Sequence, residues 1–121
     1  MMFPPMVVYC ICQYTELRSR MDVEFELRGV LFRWDSEKAA RNVQEHGIPF
    51  EQAAQVFFDP FVRYLDASRG GEARDGAIGA DFEYRILFVV HLILEEDALR
   101  VVSAWPATRA ERSHYETGYD S

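Results

Sequence analysis

Lysine is nearly missing from this chain of 121 residues: of 13 basic side chains, 12 are arginine and one is Lys38. Arginine's planar fork suits bidentate phosphate contacts where several converge, although codon bias produces the same composition. Cysteine is scarce too. Cys10 and Cys12 stand too close for an unstrained disulfide, and no second Cys or His cluster has metal-ligand spacing, so idle thiols and no metal or other cofactor are expected. Long apolar runs are absent. The longest candidate, residues 86–94, is interrupted by His91 and falls well short of the roughly 20 residues that cross a bilayer, which predicts a soluble, cytoplasmic protein with no membrane partner. Residues 1–12 are apolar but have neither a positive start nor a small-residue cleavage site, so a signal peptide is not read there. A positive charge balance is missing as well, since 20 acidic residues leave a formal net charge of -7. General adhesion to nucleic acid is thereby excluded, and any RNA site must be a local patch.

What is present is ample core material: 49% hydrophobic residues, with Phe 9, Tyr 6 and Trp 2. The length suits one domain. Met21 opens a segment that reads as a first strand, so residues 1–20 are taken as an extension or a misassigned start, and 21–121 as a single domain. Over residues 23–34 apolar side chains alternate (Val23, Phe25, Leu27, then Val30, Phe32, Trp34), with Gly29 at a bend between two strands. Asp35 caps a first helix whose stripe is Ala39, Val43 and His46, and Gly47 stops it. Pro49 opens a second helix with Phe50, Ala53, Ala54 and Phe57 inward, ended by Asp59-Pro60. Strands follow at 61–66 and from 77, around a polar, Gly-rich loop at 68–76. The near-continuous apolar stretch 84–94 predicts a central strand, and 99–105 returns antiparallel after the acidic turn Glu95, Glu96, Asp97. Pro106 ends the sheet. Thr108 with Glu111 forms a capping box for a last helix over about 109–115.

Several local signatures fall in a definite order: Phe32-Arg33-Trp34-Asp35 with Lys38, Asn42, His46-Gly47, Phe50-Glu51-Gln52-Ala53, Phe57-Phe58-Asp59-Pro60, and Glu72 with Arg74. They continue through Ile78-Gly79, Val89-Val90-His91, Arg100-Val101-Val102-Ser103-Ala104, and Ala107-Thr108-Arg109-Ala110-Glu111-Arg112 with Tyr115. Over about residues 30–116 the chain resembles the BrnT toxins of type II toxin-antitoxin systems. The resemblance implies a compact α+β, RelE-like fold: an antiparallel twisted sheet with two N-terminal helices and one C-terminal helix. It also implies metal-independent ribonuclease activity that inhibits translation, and neutralisation by a BrnA-like ribbon-helix-helix antitoxin in a heterotetramer. The family's last strand usually carries basic residues where this chain has Trp105 and Pro106, so the alternative is a catalytically degenerate partner of a DNA-binding antitoxin.

Cleavage of RNA without a metal uses the 2′-hydroxyl as nucleophile and needs a base, an acid and cations facing the developing charge. His91 is the candidate proton carrier and Arg74, Arg85 and Arg100 the candidate phosphate holders, against bland readings of a core histidine and solvated arginines. A four-residue turn at 95–98 would oppose Ile93 with Arg100 and set Arg85, His91 and Arg100 on one sheet face, whereas a three-residue turn would separate Arg100 from His91. Arg109, Arg112 and Tyr115 on the last helix are candidates for binding RNA or the antitoxin. Glu111 reads as a cap rather than a base, His46 as a helix-end cation, His114 as exposed, and Trp34 with Asp35 as a core anchor and a cap.

Overall fold

The computed structural model describes residues 22–117, so the expectations placed on Cys10, Cys12 and residues 1–20 lie outside the described residues. β1 (Asp22–Leu27) and β2 (Val30–Asp35) form the antiparallel hairpin that the alternation predicts. Arg28 and Gly29 connect them with φ of 51° and 85°, the left-handed pair whose twist matches the flanking strands. Asp35 accepts a hydrogen bond from the Lys38 N–H at 3.0 Å and starts α1 (Ser36–His46). Gly47, at φ 74°, closes α1 through its N–H to the Val43 carbonyl.

The stripe expected on α1 is displaced. Val43 is 46% exposed and His46 lies near the surface, while the polar Asn42 is buried. Pairing between β2 and β6 (Leu99–Pro106) ends at Arg33 and Arg100, and further along β6 the Asn42 carboxamide serves Ala104 as another strand would. It accepts from the Ala104 N–H at 3.1 Å and donates to the Ala104 and Ile48 carbonyls at 2.8 and 2.9 Å. Burial of a polar side chain is tolerated because these bonds satisfy backbone groups that would otherwise be orphaned.

Pro49 precedes α2 (Phe50–Ala54), which tightens into a 3₁₀ turn (Gln55–Phe58) before Asp59-Pro60. Then come β3 (Arg63–Asp66), β4 (Asp75–Ala80), β5 (Ile86–Ile93), β6 and α3 (Arg109–Thr117). Six strands form one sheet in the order β1-β2-β6-β5-β4-β3. β5 is central, as its composition predicts. The sheet is mixed rather than antiparallel, because β6 runs parallel to β2. Each hairpin is a local event that sequence reveals, but the seam joining β2 to β6 pairs Phe32 with Leu99 and Arg33 with Arg100, 67 positions apart, with no local signal.

Apolar groups divide between two faces. Phe32, Trp34, Leu87, Val89 and Val101 meet Phe50, Ala53 and Val56 on the side covered by α2 and the 3₁₀ turn. Ile78, Phe88 and Val90 meet Trp105 and Tyr115 on the other. Each large buried side chain contributes about 1.5–3 kcal/mol, so the larger cluster dominates stability. β6 carries a bulge against β5: Val101 opposes His91, Ser103 opposes Val90, and Val102 between them has no opposite number. No helix among the described residues is long and apolar enough to cross a membrane.

Candidate functional site

The four side chains expected to share phosphate and proton chemistry do not assemble. His91 is 1% exposed, with its ring edge-on to Phe57 at 4.8 Å and near Tyr64 at 6.1 Å. Burial lowers its pKa, opposed more weakly by the Val89 backbone and the Asp75 carboxylate. Its Nδ1 is buried without a well-formed hydrogen bond among the described residues. Arg100 stands opposite Leu92, hence on the other face from His91, and pairs with Asp22 at 2.9 Å. Arg85 binds the buried Asp81 at 3.2 Å and Glu83 at 2.8 Å. The expectation of one catalytic face for Arg85, His91 and Arg100 is therefore corrected. Residues 94–98 make a five-residue turn closed by the Leu94 N–H on the Ala98 carbonyl, with Glu96 and Asp97 at φ of 63° and 66°, and that one extra residue reverses the phase of Arg100.

Arg74 has a different setting. It precedes β4 and is a common wall, with Ser103, of two adjoining clefts. The larger, of about 430 Å³, also includes Asp66, Ser68, Arg69, Trp105 and Glu111; the smaller, of about 220 Å³, includes Lys38, Arg41, Asn42 and Glu45. Arg74 holds Glu72 at 2.6 Å, whereas Lys38, Arg41 and Arg69 make no ion pair with a described residue. Arg69 reaches the cleft from a tight loop in which Gly70 and Gly71 take φ of 59° and 84°. Ser68 hydrogen bonds hold the Asp66 carboxyl below its ordinary range, keeping it anionic.

Glu111 completes the expected capping box, accepting from the Thr108 N–H at 2.9 Å while its own N–H reaches the Thr108 hydroxyl at 3.2 Å. The same carboxylate accepts from the Trp105 indole N–H at 3.1 and 3.4 Å and faces the larger cleft. Trp105 lies parallel to Phe88, ring centroids 4.9 Å apart and planes 3° apart. On α3, Arg109 is exposed, Arg112 borders a cleft with Arg85, and the Tyr115 hydroxyl donates to Asp59 at 2.6 Å beside another cleft of about 630 Å³. Arg112 and Tyr115 therefore serve different hollows. The sequence reading missed Ser68, Arg69, Arg41 and Ser103 as site residues, because they come from a loop, a helix and a strand with no shared motif. The Gly70-Gly71 pair beside Arg69 was the available signal for a shaped loop.

Residues 34–111 match the protein family described as the ribonuclease toxin, BrnT, of type II toxin-antitoxin systems. None of the curated proteins matches the chain. Among solved structures, the chain is similar to the ribonuclease toxin BrnT of Brucella abortus, determined at 1.1 Å. The two share 23% identity and a TM-score of 0.50, over 63% of this chain and 94% of that one, which is a likeness of fold.

Proposed function

This chain belongs to the BrnT family of ribonuclease toxins of type II toxin-antitoxin systems, and from that premise we propose that it cleaves RNA, without a metal, in the cleft walled by Arg69, Arg74 and Glu111. The observation that carries the reading is the meeting of Lys38, Arg41, Arg69 and Arg74 at two joined clefts on a chain of net charge -7. Four cations in one place, three without an ion pair to a described carboxylate, create the local patch that an acidic body otherwise denies to RNA.

In this mechanism Arg74 and Arg69 face the phosphate that is cut and stabilise the charge growing on its oxygens. Lys38 and Arg41 hold the neighbouring phosphate. Glu111, oriented by Trp105 and Thr108, takes the proton as the 2′-oxygen attacks phosphorus to give a 2′,3′-cyclic phosphate, and the 5′-oxygen leaves with a proton taken from water. Residues 21–121 act as one toxin domain of RelE-like architecture in the cytoplasm, and cutting of messenger RNA there inhibits translation. A ribbon-helix-helix antitoxin neutralises it in a heterotetramer, with Arg109 and Arg112 on α3 available to the antitoxin.

The test uses purified chain and end-labelled single-stranded RNA. Cleavage should persist in excess chelator, and Arg74→Ala should lower its rate about 10²- to 10³-fold, the usual loss when one donor to a developing oxyanion is removed. Cleavage abolished by chelator, or an Arg74→Ala rate equal to that of the natural chain, would refute the assignment. No cleavage by any form, with tight antitoxin binding, would instead favour the degenerate partner.

A further inference from the structure

The larger cleft has a chemistry that phosphate binding leaves unused. Besides its cations, the cleft is lined by an aromatic slab, Trp105 beside Phe88. Phe88 lies over Gly76, where an added Cβ would come within 2.8 Å of the ring, so the slab is seated against β4 as well as β5 and β6. The indole is held twice more, by its N–H to Glu111 and by the neighbouring His46 ring at 5.9 Å. That imidazole is tilted by 49° and leaves the indole partly exposed.

From this arrangement we infer that Trp105 forms a nucleobase subsite, against which one base of a single-stranded RNA rests while Arg69 and Arg74 hold the adjoining phosphate. The inference rests on the reading of this cleft as the RNA site. A fixed indole contributes contact without losing rotamer freedom on binding. Aromatic side chains alternating with guanidinium groups are how unpaired nucleotides are held, since every base offers a π-face and every linkage a charge. Because the indole N–H is already given to Glu111, Trp105 recognises shape and polarisability rather than a hydrogen-bonding edge. The subsite therefore takes any base, purines more tightly than pyrimidines, and excludes paired ones.

The protein carries its own reporter. It has two tryptophans, and Trp34 is 2% exposed within the core, so only Trp105 can be quenched by stacking. The probe is a short 2′-O-methyl oligonucleotide, which lacks the nucleophilic hydroxyl and cannot be cut; a matched oligonucleotide carries abasic sites. Binding is followed by fluorescence anisotropy of a dye on the oligonucleotide, and stacking by indole emission. The expected result is saturable quenching by the intact probe, little by the abasic one, and no quenching in Trp105→Phe, which should keep affinity within about threefold. Trp105→Ala should bind about tenfold more weakly or worse. Binding without quenching would overturn the subsite and leave the cationic cleft standing. Equal affinity for intact and abasic probes would do the same. Failure of the folded natural chain to bind either probe would remove both readings.

Discussion

Asn42 offers the sharpest test of how the fold is held together. Its carboxamide makes four hydrogen bonds: to the Ala104 N–H and carbonyl, to the Ile48 carbonyl, and from the Ser103 hydroxyl at 3.3 Å. Replacement by alanine leaves three backbone groups buried and unpaired, the Ala104 N–H and carbonyl and the Ile48 carbonyl. At about 1 kcal/mol or more for each orphaned group, Asn42→Ala should destabilise by about 3–5 kcal/mol. For a domain near 100 residues that is a fall in melting temperature of about 12–15 °C at the lower bound. Asn42→Asp separates hydrogen bonding from cavity formation. It keeps the shape and the acceptor for Ala104, but at neutral pH it turns carboxylate oxygens toward two carbonyls and should cost at least as much as alanine. Below the carboxyl pKa the neutral acid can donate again, so the gap to the natural chain, measured by urea denaturation at each pH, should narrow on acidification. A cost below about 1 kcal/mol for Asn42→Ala, or a gap for Asn42→Asp that does not change with pH, would refute the idea that this side chain substitutes for a strand.

Two further outcomes follow from the described side chains. Burial holds His91 below its ordinary pKa of 6.5, so the unfolded chain takes up a proton that the native state refuses; stability should be full above pH 6.5 and fall below it by up to about 1.4 kcal/mol per pH unit. Urea midpoints between pH 7.5 and 5.5 should show that slope in the natural chain and a shallower one in His91→Leu, and identical slopes would contradict a buried neutral imidazole. Tyr84 is 87% exposed yet sits at φ 67°, so Tyr84→Gly should stabilise by about 1 kcal/mol, read as a higher melting temperature; a lower one would show that its left-handed backbone carries no strain.

Most of the local structure was legible because its signals are short-range. The β1–β2 alternation, the Asp35 cap, the Gly47 stop and the Thr108–Glu111 box each involve residues within a few positions of one another, and each formed. The seam between β2 and β6 was not legible, nor was the inward side of α1, since Asn42 is buried for a contact 62 positions away. Most of the site was hidden for the same reason. His91 drew notice as the polar interruption of an apolar strand and Arg100 as a cation flanking the hairpin, but one residue in a turn decides which face a strand presents. The cations that do meet lie on α1 and in the 67–74 loop, where nothing periodic marks them.

The bulge in β6 sets the phase of everything beyond it. Upstream, Val101 points into the larger core; downstream, Ala104 returns to that side while Ser103 and Trp105 face the cleft. Were Val102 paired in the ladder as an ordinary strand residue, strict alternation would send the indole into space shaped for a methyl group and hand the cleft an alanine. Deletion of Val102 should therefore leave Ser103, Ala104 and Trp105 on their present sides, whereas a regular strand of the natural length would not, so the pairing of this strand rather than any one side chain upon it decides what the cleft receives.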